Sequence, residues 1–378
     1  MTVALEMEPA TSPGDVPWRL TPAGTVARGL AYVAVALLLF LPSRTTDFAQ
    51  FCSLAAIYAM MGLSLNVIVG YTGQLSLGHQ GFMGLGALVT ANLVAQANLP
   101  SYVGIGAGVV ATTAVAVVIG VVALRITGLY LSLITLVFGS AISGSLFALG
   151  SLTRNGSGVQ IVRPPYFKEN GEWYLVCLVV LLVVYFIDFR LTASKVGRAL
   201  LAIKENERVA EAFGIGVTSY KLLAFALSGA IAGLAGGLFA YRSQTFATQD
   251  FGDPQGFSLA LLFVVMCVVG GLGNRLGVVV AGAFFALLTN LLDRLFAVGW
   301  VKDAVSGIPV LSGYYGPRGA SLAGLIGALL LLQTLIFNPG GIGAQLRPIA
   351  RWMSGHRFEL HESSESGPAA AEGSSVRA

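Results

Sequence analysis

Reactive side chains are scarce in this sequence, and the densest polar group sits where polarity is costly. Gln74, Ser76, His79 and Gln80 lie in a glycine-rich, otherwise apolar stretch, Gly70-Tyr-Thr-Gly-Gln-Leu-Ser-Leu-Gly-His-Gln-Gly-Phe-Met-Gly-Leu-Gly86. Two amides, a hydroxyl and an imidazole can exchange hydrogen bonds with a polar solute without adding a permanent charge. Two readings stand: hydrogen bonding between helices with no ligand, or the lining of a solute pathway. His79 has no second His, Cys or carboxylate beside it, so no metal site is expected. Gly-x-Ser-x-Gly does not occur, and neither do paired carboxylates or a His cluster, so no catalytic residue is expected. The phosphate loop Gly-x-x-x-x-Gly-Lys-[Ser/Thr] is also missing.

A second polar group is a charged loop, Ser194 to Lys221, reading SKVGRALLAIKENERVAEAFGIGVTSYK. Val196, Ala199, Leu200, Ile203, Ala210 and Phe213 share one stripe of a helical wheel, opposite Lys204, Glu205, Arg208 and Glu211. Glu207 falls inside the apolar stripe, which predicts two short helices rather than one. Asn206 then serves as an N-cap with Glu207 in the first turn, and Gly214 suits a left-handed C-cap. Such an element lies on a membrane surface or docks a cytosolic subunit. Mixed charge favours docking, because a lipid-bound helix is more uniformly basic.

These groups hang on long apolar segments. Only 11% of the 378 residues are charged, against about 25% in a soluble chain. Apolar runs of roughly bilayer length fill most of the sequence between Ala27 and Phe337. Ten crossings are expected: 27–41, 48–69, 76–95, 102–124, 129–149, 173–189, 219–241, 257–271, 276–298 and 320–337. Arg190, Lys195, Arg198, Lys204, Arg208 and Lys221 place the loop after the sixth crossing in the cytoplasm. An even number of spans then puts both termini inside. Arg154, Arg163 and Lys168 fall outside and break the rule. Asp188 and Asp293 sit at span ends, leaving almost no carboxylate at mid-span.

Residues 1–26 read as a flexible cytoplasmic leader with no cleavable signal. Residues 27–343 form the membrane body, with 194–218 as its cytoplasmic loop. Residues 344–378 read as a basic, disordered cytoplasmic tail. Cys52, Cys177 and Cys267 all fall in apolar segments and read as packed free thiols. A net charge of +4 gives no nucleic-acid signal. Glycine supplies 48 residues; Gly229, Gly233 and Gly237 repeat at the spacing that lets helix backbones approach in lipid. That stripe serves internal packing, a dimer seam or a moving contact. A second glycine-rich stretch, Gly270-Gly-Leu-Gly-Asn-Arg-Leu-Gly277, weakly repeats the first.

The segment Ala202-Ile-Lys-Glu-Asn-Glu-Arg-Val-Ala-Glu-Ala-Phe-Gly-Ile-Gly-Val217 resembles the coupling segment of branched-chain amino acid ABC importer permeases, most closely the M-type subunit. Gly70-Tyr-Thr-Gly-Gln-Leu-Ser-Leu-Gly-His79, Gly128-Leu-Tyr-Leu-Ser-Leu133, Gly270-Gly-Leu-Gly273 and Asn338-Pro-Gly-Gly-Ile342 also match. Arg208 departs from the wider importer class, which places a Glu there, and Gln160-Ile-Val-Arg-Pro-Pro165 departs from the family's glycine-rich outer segment, which Thr153-Arg-Asn-Gly-Ser-Gly158 resembles.

The resemblance implies an all-α, polytopic bundle of the ten-helix importer type in a bacterial inner membrane. It implies a paralogous permease in a heterodimer, two cytosolic ABC ATPases and an extracytoplasmic solute-binding protein. ATP and Mg would bind those partners, and no cofactor this chain. Lys204, Glu205, Asn206, Glu207, Ala210 and Gly214 would couple to the ATPases, and Gln74, Ser76, His79 and Gln80 would border the translocation pathway. An ABC permease for urea, short amides or another amino acid is the alternative. An ion-coupled carrier and a membrane-embedded enzyme are remoter ones.

Overall fold

Hydrocarbon offers backbone groups no hydrogen-bond partners, so apolar segments bury theirs in helices. The computed structural model describes residues 39–123, 128–154, 158–246, 251, 257–297, 329, 332, 333, 336 and 340–346. Leu38–Gln345 form one compact unit; the termini form a second, almost wholly outside the described residues. The expected leader and tail, most of the first crossing and most of the tenth also lie outside them.

Helix α1 spans Thr46–Leu65 and runs on into a π-turn, Asn66–Gly70. Helices α2 (His79–Ala95), α3 (Ser101–Ala123) and α4 (Leu129–Ala141) follow, α4 ending in a second π-turn, Ile142–Leu146. Helix α5 covers Asn170–Ala193. The short α6 (Lys195–Glu205) and α7 (Glu207–Ala212) lead into the long α8 (Val217–Ser243). Helices α9 (Phe257–Gly270) and α10 (Arg275–Ala297) complete the series. Among the described residues four segments are long and apolar enough to cross a membrane: 48–70, 101–122, 170–193 and 217–243. The first is 89% buried within the protein, whereas 101–122 and 170–193 are only 22% buried. The α1 helix is therefore the centre of the unit, packed by α5, α8, α9 and α10, and α3 and α5 are its rim.

The expected third crossing is broken. Residues 73–78 are not helical, and α2 starts only at His79. The α4 helix answers the backbone groups this break frees. The Leu77 N–H donates to Thr135 Oγ1 (3.0 Å), and Ser132 Oγ donates to the Leu75 carbonyl (3.3 Å). The glycine stripe Gly229, Gly233 and Gly237 packs within the chain. A Cβ on Gly233 would stand 2.8 Å from Thr112 Cβ, and one on Gly229 would strike Ala116, both on α3.

The all-α expectation misses one element. Val159–Gln160 (β1) pairs antiparallel with Thr245–Phe246 (β2), Val159 opposite Phe246. Two loops at the same end of the bundle thereby satisfy each other's backbone. Arg163 locks the pair. Its Nε donates to the Tyr241 carbonyl (3.0 Å), its guanidinium to Arg242 O (3.1 Å) and Asn170 Oδ1 (2.8 Å), and it lies over the Trp173 ring. Tyr241 and Arg242 are in the last turn of α8, where carbonyls lack helical partners. The Arg163 exception to the charge rule is thus a helix cap. Cys52, Cys177 and Cys267 are free and buried.

Candidate functional site

The site is assembled at the end of the bundle opposite β1 and β2, where three sequence motifs separated by up to about 270 residues meet. Asn66, in the α1 π-turn, accepts a hydrogen bond on Oδ1 from the Gly273 N–H at 2.8 Å. A Cβ on Gly70 would stand 2.8 Å from that same nitrogen. Gly341, at φ +65°, packs so tightly on Gly271 that a Cβ would come within 2.6 Å of the Gly271 nitrogen. These glycines serve close backbone approach and left-handed turns. The sequence showed their richness but not that they share one knot.

The charged loop is bolted to this knot. The chain breaks at Asn206 (φ −159°, ψ 110°), whose Oδ1 accepts from the Val209 N–H at 3.2 Å and so caps α7. Gly214 takes φ +78°. Both agree with the local reading of the sequence. Ala199, Leu200, Ile203 and Ala210 are buried, as the wheel expected, but Phe213 is 82% exposed. The α7 helix stops at Ala212 and the chain turns at Gly214, so the wheel's rotation no longer applies.

Besides the buried Ala210, two of the expected coupling residues are bonded to the bundle. Lys204 Nζ donates to the Gly70 carbonyl at 2.9 Å. Glu207, itself 43% exposed, accepts from Lys221 Nζ at 2.6 Å; Lys221 is 3% exposed and sits in the first turns of α8. Glu205, Arg208, Glu211 and Phe213 remain exposed. A neighbouring ion pair was missed from sequence. Asp188, buried in α5, accepts from Tyr71 Oη at 2.8 Å and pairs with Arg275 Nε at 3.3 Å. Arg275 also donates to Thr192 Oγ1 and lies over the Phe189 ring, 5.0 Å from its centre. Opposite charges at two span ends on the same side were the available signal.

The expected pathway residues divide. Ser76, His79 and Gln80 are buried, Gln80 against Gly139 of α4, while Gln74 borders a separate cleft beside α6. His79 joins three helices through Ser228 of α8. Ser228 Oγ donates its one hydrogen to the Ser64 carbonyl (2.8 Å), and Ser64 Oγ donates to the Ser228 carbonyl (2.8 Å). Ser228 Oγ then accepts from His79 Nε2–H (2.8 Å), which leaves Nδ1 bare to accept from Ser76 Oγ (3.1 Å). The assignment comes from the network and makes His79 a neutral, fully bonded imidazole. Ser228→Ala is expected to cost about 1–2 kcal/mol, since interhelical hydrogen bonds in membranes are worth up to roughly 1.7 kcal/mol each. A thermal melt of the detergent-purified protein checks this.

The family model described as "Branched-chain amino acid transport system / permease component" matches residues 48–312. The high-affinity branched-chain amino acid transport system permease protein LivM of Escherichia coli (strain K12) is 31% identical over 337 residues, 78% of this chain and 75% of that protein. LivM of Salmonella typhimurium is 29% identical over 320 residues, 77% and 73% of the two chains. The L-arabinose ABC transporter permease protein AraH of Azospirillum brasilense is 30% identical over 244 residues, 62% and 66%. No solved structure matches. A multi-pass bundle whose glycine motifs converge under a charged two-helix loop, matched by this model over most of its length, belongs to the branched-chain amino acid transport system permease components.

Proposed function

We propose that this chain is one transmembrane half of an ABC importer for branched-chain amino acids. It spans a bacterial inner membrane ten times, with residues 1–26 and 344–378 in the cytoplasm and 27–343 as the permease body. A paralogous permease completes the pathway, two cytosolic ATPases supply the motor, and an extracytoplasmic binding protein delivers the solute.

The observation that carries this reading is the attachment of α6 and α7. Lys204 fixes α6 to the end of α1, and the Glu207–Lys221 pair fixes α7 to α8. A short helix pair so held moves as a lever with the helices behind it, while Glu205, Arg208, Glu211 and Phe213 face outward for an ATPase. Lys204, Asn206, Glu207, Ala210 and Gly214 build the lever, and Glu205 belongs to its contact face. Gln74, Ser76, His79 and Gln80 border the pathway along the broken start of α2. Binding-protein selectivity supplies most of the specificity. The arabinose permease named above supports a second reading, import of another small polar solute by the same machinery.

Reconstitution with both ATPases, the second permease and the binding protein tests the proposal. ATP-driven leucine uptake is expected. Glu205→Lys should lower coupled ATPase activity about tenfold, equivalent to ~1.4 kcal/mol of lost docking, while the melting temperature stays put. Unchanged coupled ATPase activity and uptake in that variant would remove the coupling assignment. Uphill uptake by this chain alone under an ion gradient would remove the whole reading.

A further inference from the structure

A cleft of about 390 Å³ opens between α6, residues 72–75 at the break before α2, and the start of α4. Its charged and polar rim is Lys204, Glu205 and Asn206, with the Lys221–Glu207 pair beside them. Its apolar walls are Leu75, Leu131 and Ile203. Lys204 donates one hydrogen to Gly70 and keeps two more. Glu205 has no ion-pair or hydrogen-bond partner among the described residues. Gln74 also lines the cleft, and its Oε1 is buried without a hydrogen-bond donor. One cleft therefore offers a cation, an anion and an aliphatic wall.

We propose that this cleft binds a free aliphatic α-amino acid from the cytoplasm. The ligand's carboxylate meets Lys204 and the Asn206 amide, its ammonium meets Glu205, and its side chain lies on Leu75, Leu131 and Ile203. Charge balance selects the class. An anion alone would face Glu205, and a cation alone would face Lys204, whereas a zwitterion satisfies both. The cleft has room for a leucine-sized molecule. Its walls belong to elements that must separate if the lever moves: α6 and residues 72–75, which travel with α1 and α8, on one side, and α4 on the other. An occupant bridging them favours the arrangement seen here and slows the motor, because a ligand biases a conformational equilibrium by its differential affinity for the two states. The result is inhibition of import by accumulated product, and it rests on the proposed substrate class and on a cytoplasmic location for this end.

The test uses the assembled permease–ATPase complex in nanodiscs, without the binding protein, carrying Leu75→Cys as a reporter. Millimolar L-leucine is expected to slow alkylation of that cysteine at least about fivefold and to lower the basal ATPase rate in parallel. Isoamylamine, lacking the carboxylate, and 4-methylpentanoate, lacking the ammonium, should protect far less. Adding Glu205→Gln should abolish protection, read as a ratio with and without leucine so that altered basal rates cancel. Protection without slowed ATPase, equal protection by either analogue, no protection by leucine, or a reporter already unreactive in the assembled complex would each overturn the proposal. Binding-protein-dependent leucine uptake, measured separately, tells failure of this cleft from failure of the importer reading.

Discussion

An Arg275→Met chain is expected to lose about 3–5 kcal/mol of stability, the cost of leaving a buried charge without its partner. The Asp188 side chain is fully buried and that of Arg275 only 22% exposed. Removing the guanidinium leaves the carboxylate with the Tyr71 hydroxyl as its one remaining named partner. It also removes the donor to Thr192 and the cation over Phe189. Asp188→Asn should be milder, because an amide oxygen still accepts from Tyr71 and no buried anion remains. Combining it with Arg275→Met should recover a large part of the loss, since contacting residues are not additive. The thermal midpoint of the monodisperse detergent-purified protein, compared across the single and double variants, measures this. A double variant no better than Arg275→Met would show that the pair is not energetically coupled.

Gly236→Val is expected to be nearly as damaging, at about 3 kcal/mol or more, the upper end of overpacking costs. A Cβ at Gly236 would collide with the Met83 carbonyl oxygen and stand 2.9 Å from the Ala87 nitrogen, both backbone atoms of α2. Backbone cannot rotate away as a side chain can, so α2 and α8 must separate. Separation would also stretch the His79–Ser228 bond that joins the same two helices. Gly106→Ala on α3 is the matched control, because a Cβ there meets nothing within 4 Å. Replacing glycine by alanine inside a helix is then worth up to about 1 kcal/mol in favour of folding. Equal melting temperatures for Gly236→Val and the native chain would refute the close-contact account.

Local features were legible in the sequence and long-range partners were not. The break at Asn206 and the left-handed Gly214 follow from rules that span a few residues, and both appear where expected. The helical cores of eight expected crossings coincide with described helices, because apolar length is itself the signal. The destinations of Lys204 and Glu207 were hidden. A wheel shows which face a residue shares, but the Gly70 carbonyl that receives Lys204 is 134 positions away. Phe213 was misplaced for the complementary reason: periodicity assumes a helix that had already ended. Arg163 read as an orientation anomaly because its hydrogen-bond partners include the end of α8, nearly eighty residues on. The two-residue strands were too short to give an alternating pattern.

Ser228 touches Ser64 and His79 at once, and Ser76 hangs on the far side of the imidazole. Sliding any one of the three helices past the others by a turn would strand hydroxyls and a ring nitrogen in hydrocarbon, where water cannot replace what is lost. If the proposed importer cycle moves these helices, it is cheapest when α1, α2 and α8 travel as one piston and the slip plane runs outside them. A machine with so many spans then has far fewer moving parts than helices.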